Sequence, residues 1–416
     1  MMHPIKKAAC RSFQTVLKLA YPLLPYRTPQ ILHSAAEVPA LLKGRKISRL
    51  LIVTDDRLHK AGLLEPLKAT LTANNIRYSI FDETVSNPTV RNVETARARY
   101  LAEECQGLIG FGGGSAIDCA KAVGARIARP NKPASKMKGI LRVLRRTPFT
   151  IAIPTTSGTG SETTVATVIT DDATGHKFPI SDFPLIPDAA VLDPEFTRSL
   201  PPRITAETGM DALTHAIEAY IGRSTVKRSR ENALWAAALI SENLETAYHN
   251  GNDMTARANM LQAAFLAGDA FSRSYVGYCH AVAHSLGGRY NIAHGLANAV
   301  LLPNVLEAYG PSIHKPAKDI AMAMHLADAS TPEDTAAKRL ITHIRQMNAN
   351  MGIPTTLPGI RQEDIPHLAA CAEKEANPLY PVPVLMTRKE LEQFYYDVME
   401  APHDKRASRG DRKKAA

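Results

Sequence analysis

The chain has 416 residues, 45% hydrophobic, 22% charged and 6% aromatic, with a net charge of +10. This is ordinary globular composition, long enough for two domains, and it excludes a disordered, collagen-like or disulfide-stapled chain. The cysteines Cys10, Cys105, Cys119, Cys279 and Cys371 are odd in number and form no CxxC pair, which argues against a disulfide framework or a thiolate metal site and for a reducing cytoplasm.

Residues 1–30 read as a basic N-terminal extension. Positions 1–49 hold nine basic side chains against one acid, Glu37, and 404–416 hold six against two, so the body between is slightly acidic. Basic residues clustered at chain ends, without interleaved aromatics, do not make a specific nucleic-acid surface. The apolar run Leu19–Leu24 is too short for a secretory signal. An amphipathic helix fits better, packed on the body or lying on a membrane surface. No run approaches the roughly 18–20 apolar residues of a membrane span; those at 232–240 and 296–306 are cut by Ser241-Glu242 and by Pro303.

Residues 31–200 alternate short apolar strands with helical stretches, which predicts an α/β domain with a parallel sheet. Candidate strands are Leu50–Thr54, Tyr78–Phe81, Gly107–Gly110, Phe149–Ile153, Val165–Thr170 and Ala190–Leu192; candidate helices include Asn92–Glu104 and Ala116–Ile127. A loop from Arg129 to Arg146 carries seven basic residues and no acid. After Pro201-Pro202 the texture changes, and 201–400 reads as an all-helical domain. A basic tail, 401–416, follows.

Three motifs in the α/β half point to a nucleotide. Gly112-Gly113-Gly114-Ser115 follows an apolar strand and opens a helix, where backbone N–H groups and the helix N-terminus suit a diphosphate. The spacing is not GxGxxG, and a tight turn is the bland alternative. Asp55 ends the first strand, where an acid can accept from a ribose and repel a 2′-phosphate, or simply cap the next helix. Residues 154–162, PTTSGTGSE, put five hydroxyls and two glycines after a buried strand, many donors for a sugar or phosphate.

The strongest signal lies in the helical half. Asp211 and His215 stand at i, i+4, as do His280 and His284, so a helix presents each pair on one face. Gly287-Gly288 is expected to break the second helix, and the chain returns with His294. A carboxylate with several imidazoles among Ala, Val and Leu suits a divalent ion such as Fe²⁺ or Zn²⁺, since buried ionisable groups need partners.

In chain order, GGGSAIDCAK (112–121), PTTSGTGSE (154–162), ITDDATGHKFPI (169–180), ETGMDALTHAIEAY (207–220) and HAVAHSLGGRYNIAHGLANAVLLP (280–303) together resemble the iron-containing (group III) alcohol dehydrogenases. The resemblance runs from about Leu50 to Met399. It implies a dinucleotide-binding α/β domain, a helical metal-binding domain and a cleft between them. It assigns the metal ligands to Asp211, His215, His280 and His294, and places His284 beside the nicotinamide as the catalytic residue. Cofactor contacts fall on Asp55, Asn87, Gly113, Gly114, Ser115, Asp118, Thr155, Thr156, Thr164, Lys177 and Leu200. The acid at Asp55 favours NAD over NADP. The resemblance further implies a small alcohol or aldehyde as substrate and a homodimer or larger assembly. The first 30 or so residues exceed the family's usual start, and the family's glycine-containing opening is replaced by Ile31-Leu32-His33-Ser34.

The expected reaction is hydride transfer between an alcohol carbon and C4 of the nicotinamide, with His284 passing a proton outward or merely positioning its neighbours. Alternatives on the same fold are a dehydroquinate synthase-like, maleylacetate reductase-like or glycerol dehydrogenase-like enzyme. A non-catalytic metalloprotein is the alternative from another class.

Overall fold

The structure is a computed structural model that describes residues 3–173 and 175–400; the basic tail 401–416 lies outside the described residues. Among the described residues, nine strands form two sheets: β1 (Gln30–Leu32), β2 (Arg49–Val53), β3 (Arg77–Phe81), β4 (Gly107–Gly112), β5 (Gly139–Ile140), β6 (Phe149–Pro154), β7 (Ala166–Thr170), β8 (Lys177–Ser181) and β9 (Ala189–Val191). The main sheet has the order β1-β9-β6-β4-β2-β3, and every pairing in it is parallel.

Its strands read as near-continuous apolar runs because both faces are covered. Leu50, Ile52, Ile109, Phe111, Ile151 and Ile153 pack on one face; Leu51, Val53 and Leu108, one residue out of phase, pack on the other. From β2 the chain first adds β3 on one side and then crosses to β4 on the other. That reversal opens a crevice beyond the carboxyl ends of β2 and β4, where α/β sheets bind ligands. The helix Gly114–Ala128 packs tightly over β4, since a Cβ on Gly110 would lie 3.0 Å from Ile117 Cα.

One expectation is corrected. The predicted strand Val165–Thr170 exists as β7 but is not part of the parallel layer: it pairs antiparallel with β8 in a separate sheet ordered β5-β8-β7. The 166–181 segment doubles back through Asp171–Gly175, where Gly175 has φ +67° and its N–H donates to the Asp171 carbonyl (2.8 Å). Such a turn makes a hairpin, whereas a parallel crossover needs a dozen or more residues.

Beyond Pro201 the described residues are helical, with Pro at the first position of the long helix Pro202–Ile221. Helices Lys227–His249, Met254–Ser274, Tyr278–Tyr290 and His294–Tyr309 pack around it with those further on, sharing one apolar core. The expected break at Gly287-Gly288 does not occur. The helix runs through both glycines and ends at Tyr290, with Asn291 in the left-handed region at φ +55°. A glycine pair costs helix propensity only weakly against the packing of Tyr278, Val282 and Leu286 on the core.

The predicted amphipathic helix is Pro4–Ala20. It lies on the helical half, with Ser224 Oγ donating to the Gln14 carbonyl at 3.1 Å. No helix among the described residues is long and apolar enough to cross a membrane.

Candidate metal centre and cofactor crevice

Asp211 and His215 project from one face of Pro202–Ile221, His280 from Tyr278–Tyr290, and His294 from the first turn of His294–Tyr309. Each offers one ligand atom, and the four atoms lie within 4.8 Å of one another. Asp211 Oδ1 is 3.7 Å from His280 Nε2 and 3.4 Å from His294 Nε2. The His215 ring is stacked between Phe271 (4.1 Å between centroids) and His280 (4.4 Å), which fixes its plane.

Two buried nitrogens of this cluster, His215 Nδ1 and His280 Nε2, have no hydrogen-bond partner. Orphaned buried polar atoms are rare in folded proteins. A divalent ion accounts for the cluster: three imidazoles and a carboxylate are a donor set suited to Fe²⁺ or Zn²⁺. The electrostatics agree at two of the three rings, whereas at the third burial is outweighed by Asp211 and Glu218, which raise His280 to about 9. Burial lowers His215 to about 3 and His294 to about 4 despite the nearby Asp211 charge, so both rings are neutral donors at pH 7. Burial alone would raise the Asp211 carboxyl, but His294, His215 and His280 hold it well below the usual range.

Three further residues support these side chains. Glu218 Oε2 sits 2.6 Å from His280 Nδ1 and accepts from the Gly277 N–H (2.7 Å), while Oε1 accepts from the Cys279 N–H (2.8 Å). The His280 ring is thereby oriented with Nε2 toward the cluster. Asn298 Nδ2 lies 2.7 Å from Asp211 Oδ1 and 3.2 Å from His294 Nε2. His284 stands at the rim, stacked on His294 at 5.1 Å, and its Nδ1 is 2.6 Å from Glu375 Oε1. Sequence reasoning missed Glu218, Asn298 and Glu375. The first two carried a signal, since Glu218 follows Asp211 by seven residues on its helix and Asn298 follows His294 by four.

Several of the residues named for the cofactor lie around the end of β4. Gly112 has φ +144°, a conformation reserved for glycine, and a Cβ there would meet Ala116 Cβ at 2.8 Å. Gly113 caps the helix Gly114–Ala128, which begins with Gly114 and Ser115. A Cβ on Gly113 would come no nearer than 3.6 Å to Thr156, whereas one on Gly114 would press on Thr159. Asp55 does both things its position allows. Its Oδ1 caps the helix Asp56–Lys60 by accepting from the Arg57 and Leu58 N–H groups (both 3.0 Å), and its Oδ2 faces Gly112. Asn87, at φ +60°, donates its N–H to Ser115 Oγ (3.3 Å). Lys177 is half-buried on β8 and donates to no acceptor among the described residues; burial lowers its pKa.

Other named residues are occupied inside the protein. Asp118 accepts from Ser161 Oγ (2.5 Å) and from the Val168 N–H (2.8 Å), so its carboxylate ties the hydroxyl-rich loop to β7. Thr164 Oγ1 and the Ser161 carbonyl accept from the buried Lys121 Nζ, each at 2.8 Å. The Thr155 N–H donates to the Gly112 carbonyl (3.1 Å), and the Leu200 carbonyl accepts from Arg257 (3.2 Å).

Lys121 shares its buried site with Glu162. Burial lowers the lysine to about 8 and raises the glutamate to about 7. Glu162 thus binds its proton more tightly folded than unfolded. The stability linked to that proton is full below about pH 4.5 and is lost as pH rises toward 7. Glu162→Gln, which mimics the protonated acid, should raise the melting temperature over the parent at pH 8, with the gap closing by pH 5. A parent at least as stable as the variant at pH 8 would refute this.

The comparisons agree with the geometry. The model described as "Iron-containing alcohol dehydrogenase" matches residues 29–194, and "Fe-containing alcohol dehydrogenase family, C-terminal" matches 205–399. Among relatives, the chain is 41% identical over 264 residues to the "Probable alcohol dehydrogenase EutG" of Salmonella typhimurium, covering 64% of this chain and 67% of that protein. A solved 1,3-propanediol oxidoreductase superposes with a TM-score of 0.87 at 32% identity, covering 90% of this chain and 100% of that one. Sulfoacetaldehyde reductase from Bifidobacterium kashiwanohense, solved in complex with NAD⁺, superposes at 0.80 with 26% identity, covering 91% and 99%.

Proposed function

The chain belongs to the iron-containing alcohol dehydrogenase family, and from that premise we propose that it moves hydride between a small alcohol or aldehyde and the nicotinamide of NAD(H). The observation that carries the reading is the cluster Asp211, His215, His280 and His294, with its orphaned imidazole nitrogens, facing an α/β half whose switch-point crevice suits a dinucleotide. These four residues would hold the metal, Fe²⁺ by analogy with the family and Zn²⁺ as the other ion the donors accept. A divalent ion there would supply a Lewis acid that acidifies an alcohol hydroxyl or polarises an aldehyde carbonyl.

The chain's own groups do the rest. The turn Gly112–Ser115 presents backbone N–H groups and a helix N-terminus to the diphosphate. Asp55 accepts from the ribose through its uncapped oxygen, and Lys177 offers its unpartnered ammonium to the cofactor. Asn87, Thr155, Thr156 and Leu200 line the same crevice, while Asp118 and Thr164 act through the loop they pin. His284 has Nδ1 committed to Glu375, so Nε2 is the atom left to take up or release the hydroxyl proton. The five free cysteines support a cytoplasmic setting, and the family resemblance supports a homodimer or larger assembly.

The deciding experiment follows NADH absorbance with metal-stripped protein reloaded anaerobically with Fe²⁺ or Zn²⁺ and given short aldehydes. Metal-dependent NADH consumption is expected. Silence with every metal despite tight NADH binding would move the assignment to the cyclase or reductase relatives.

Asp55→Ser tests the cofactor assignment. Serine keeps the helix cap but removes the charge that repels a 2′-phosphate. The ratio of kcat/KM for NADPH over NADH should rise about tenfold or more, equivalent to about 1.4 kcal/mol. An unchanged ratio would remove Asp55 from the ribose site.

A further inference from the structure

The helix Pro4–Ala20 lies outside the segments matched by the family models, 29–194 and 205–399. It is mounted opposite to an ordinary surface helix. Ile5, Val16 and Leu19 face solvent and Phe13 is 44% exposed, whereas Gln14 is buried. Hydrogen bonds from its polar face hold it. Arg11 donates to the Val382 and Pro383 carbonyls at 2.7 and 2.9 Å, and Gln14 Nε2 donates to the Pro378 and Tyr380 carbonyls at 3.1 and 2.8 Å. Lys6 adds an ion pair to Glu373 at 2.8 Å.

The four carbonyls belong to an irregular stretch between the helices Ile365–Ala376 and Arg388–Val398. Such backbone needs partners from elsewhere, since no regular ladder supplies them. The same stretch reaches the rim of the metal centre. Tyr380 donates from its hydroxyl to Glu375 Oε1 at 2.7 Å, and that oxygen lies 2.6 Å from His284 Nδ1. At its other end the Met386 N–H donates to the Tyr278 hydroxyl at 2.9 Å, on the helix that carries His280 and His284.

We propose that the N-terminal helix is a clamp for the active-site wall: Arg11 and Gln14 are positioning residues that hold segment 377–386, and through Tyr380 and Glu375 keep the His284 ring in its working orientation. The kinetic half of this rests on the reading of His284 given above; the structural half does not.

The test uses the full chain with three changes: Arg11→Ala/Gln14→Ala together, Phe13→Ser on the outward face as control, and Glu375→Ala. Hydrogen exchange of segment 377–386, read by mass spectrometry with and without metal, should speed up about tenfold in the double variant, the loss of roughly 1.4 kcal/mol of local protection. It should not change in Phe13→Ser. In the metal-loaded enzyme the double variant should lose about five- to tenfold in kcat/KM for an aldehyde, with NADH affinity by fluorescence unchanged. In the Glu375→Ala background the same double change should cost almost nothing further, because the link it acts through is already cut.

Unchanged exchange overturns the clamp whether or not the protein reduces aldehydes. Faster exchange with parental kinetics, or a full additional loss in the Glu375→Ala background, overturns the connection to His284. If the double variant fails to fold, Gln14→Ala alone carries the same readouts, since Arg11 still holds the helix.

Discussion

His280→Ala should yield a folded protein that retains no divalent metal and turns over at least about 10³-fold more slowly than the parent. His280 is the proposed ligand on which the cluster converges. Its ring stacks on His215, approaches Asp211 and is aimed by Glu218. Alanine removes a donor and also a wall of the His215 stack. The fold should survive, because Glu218 keeps the Gly277 and Cys279 N–H groups as partners, and Asp211 keeps Asn298. Metal content, circular dichroism and NADH oxidation measured on one preparation separate these effects. Full activity from metal-free protein would end the metal-centred reading.

Gly268→Ala should destabilise the protein by about 3 kcal/mol and weaken NADH binding, although alanine is the better helix former. Gly268 lies within Met254–Ser274, pressed against the hydroxyl-rich loop. A Cβ there would fall 2.3 Å from Thr163 Oγ1 and 2.8 Å from both Cα and the carbonyl oxygen of Gly160. Gly160 cannot yield easily. Its φ of +60° is one that favours glycine, and its own added Cβ would lie 2.6 Å from Gly268 Cα. The loop would therefore be pushed off the helix, taking Ser161, Thr164 and the Asp118 tie with it. Gly288→Ala is the matched control, a helical glycine with nothing within 4 Å of an added Cβ. It should be neutral or stabilise by up to about 1 kcal/mol. Equal melting temperatures for the two variants would refute the close-packing argument.

Features written in local spacing were legible before the structure. The i, i+4 pairs Asp211/His215 and His280/His284 put three proposed ligands and the rim histidine on helix faces, and apolar runs ending in Asp55 or Gly112 marked the strands that flank the crevice. What escaped depends on contacts between distant segments. Glu375 reaches His284 across 91 residues, and nothing near either position announces the other. Asp118 is assigned to the cofactor by the resemblance alone, and only the fold shows Ser161 and Val168 bonded to its carboxylate. Val165–Thr170 reads as part of the parallel layer because an apolar run has no direction of its own, and its partner β8 gives no comparable signal. The pair Gly287-Gly288 was overread, since local propensity yields to a helix face already committed to the core.

The contact of Gly160 with Gly268 has a mechanical meaning. Two backbones meet there with no side chain between them to deform, so the nucleotide half and the metal half are joined as the boards of a book are at its spine. Sliding one past the other would break that fit, whereas rotation about it would not.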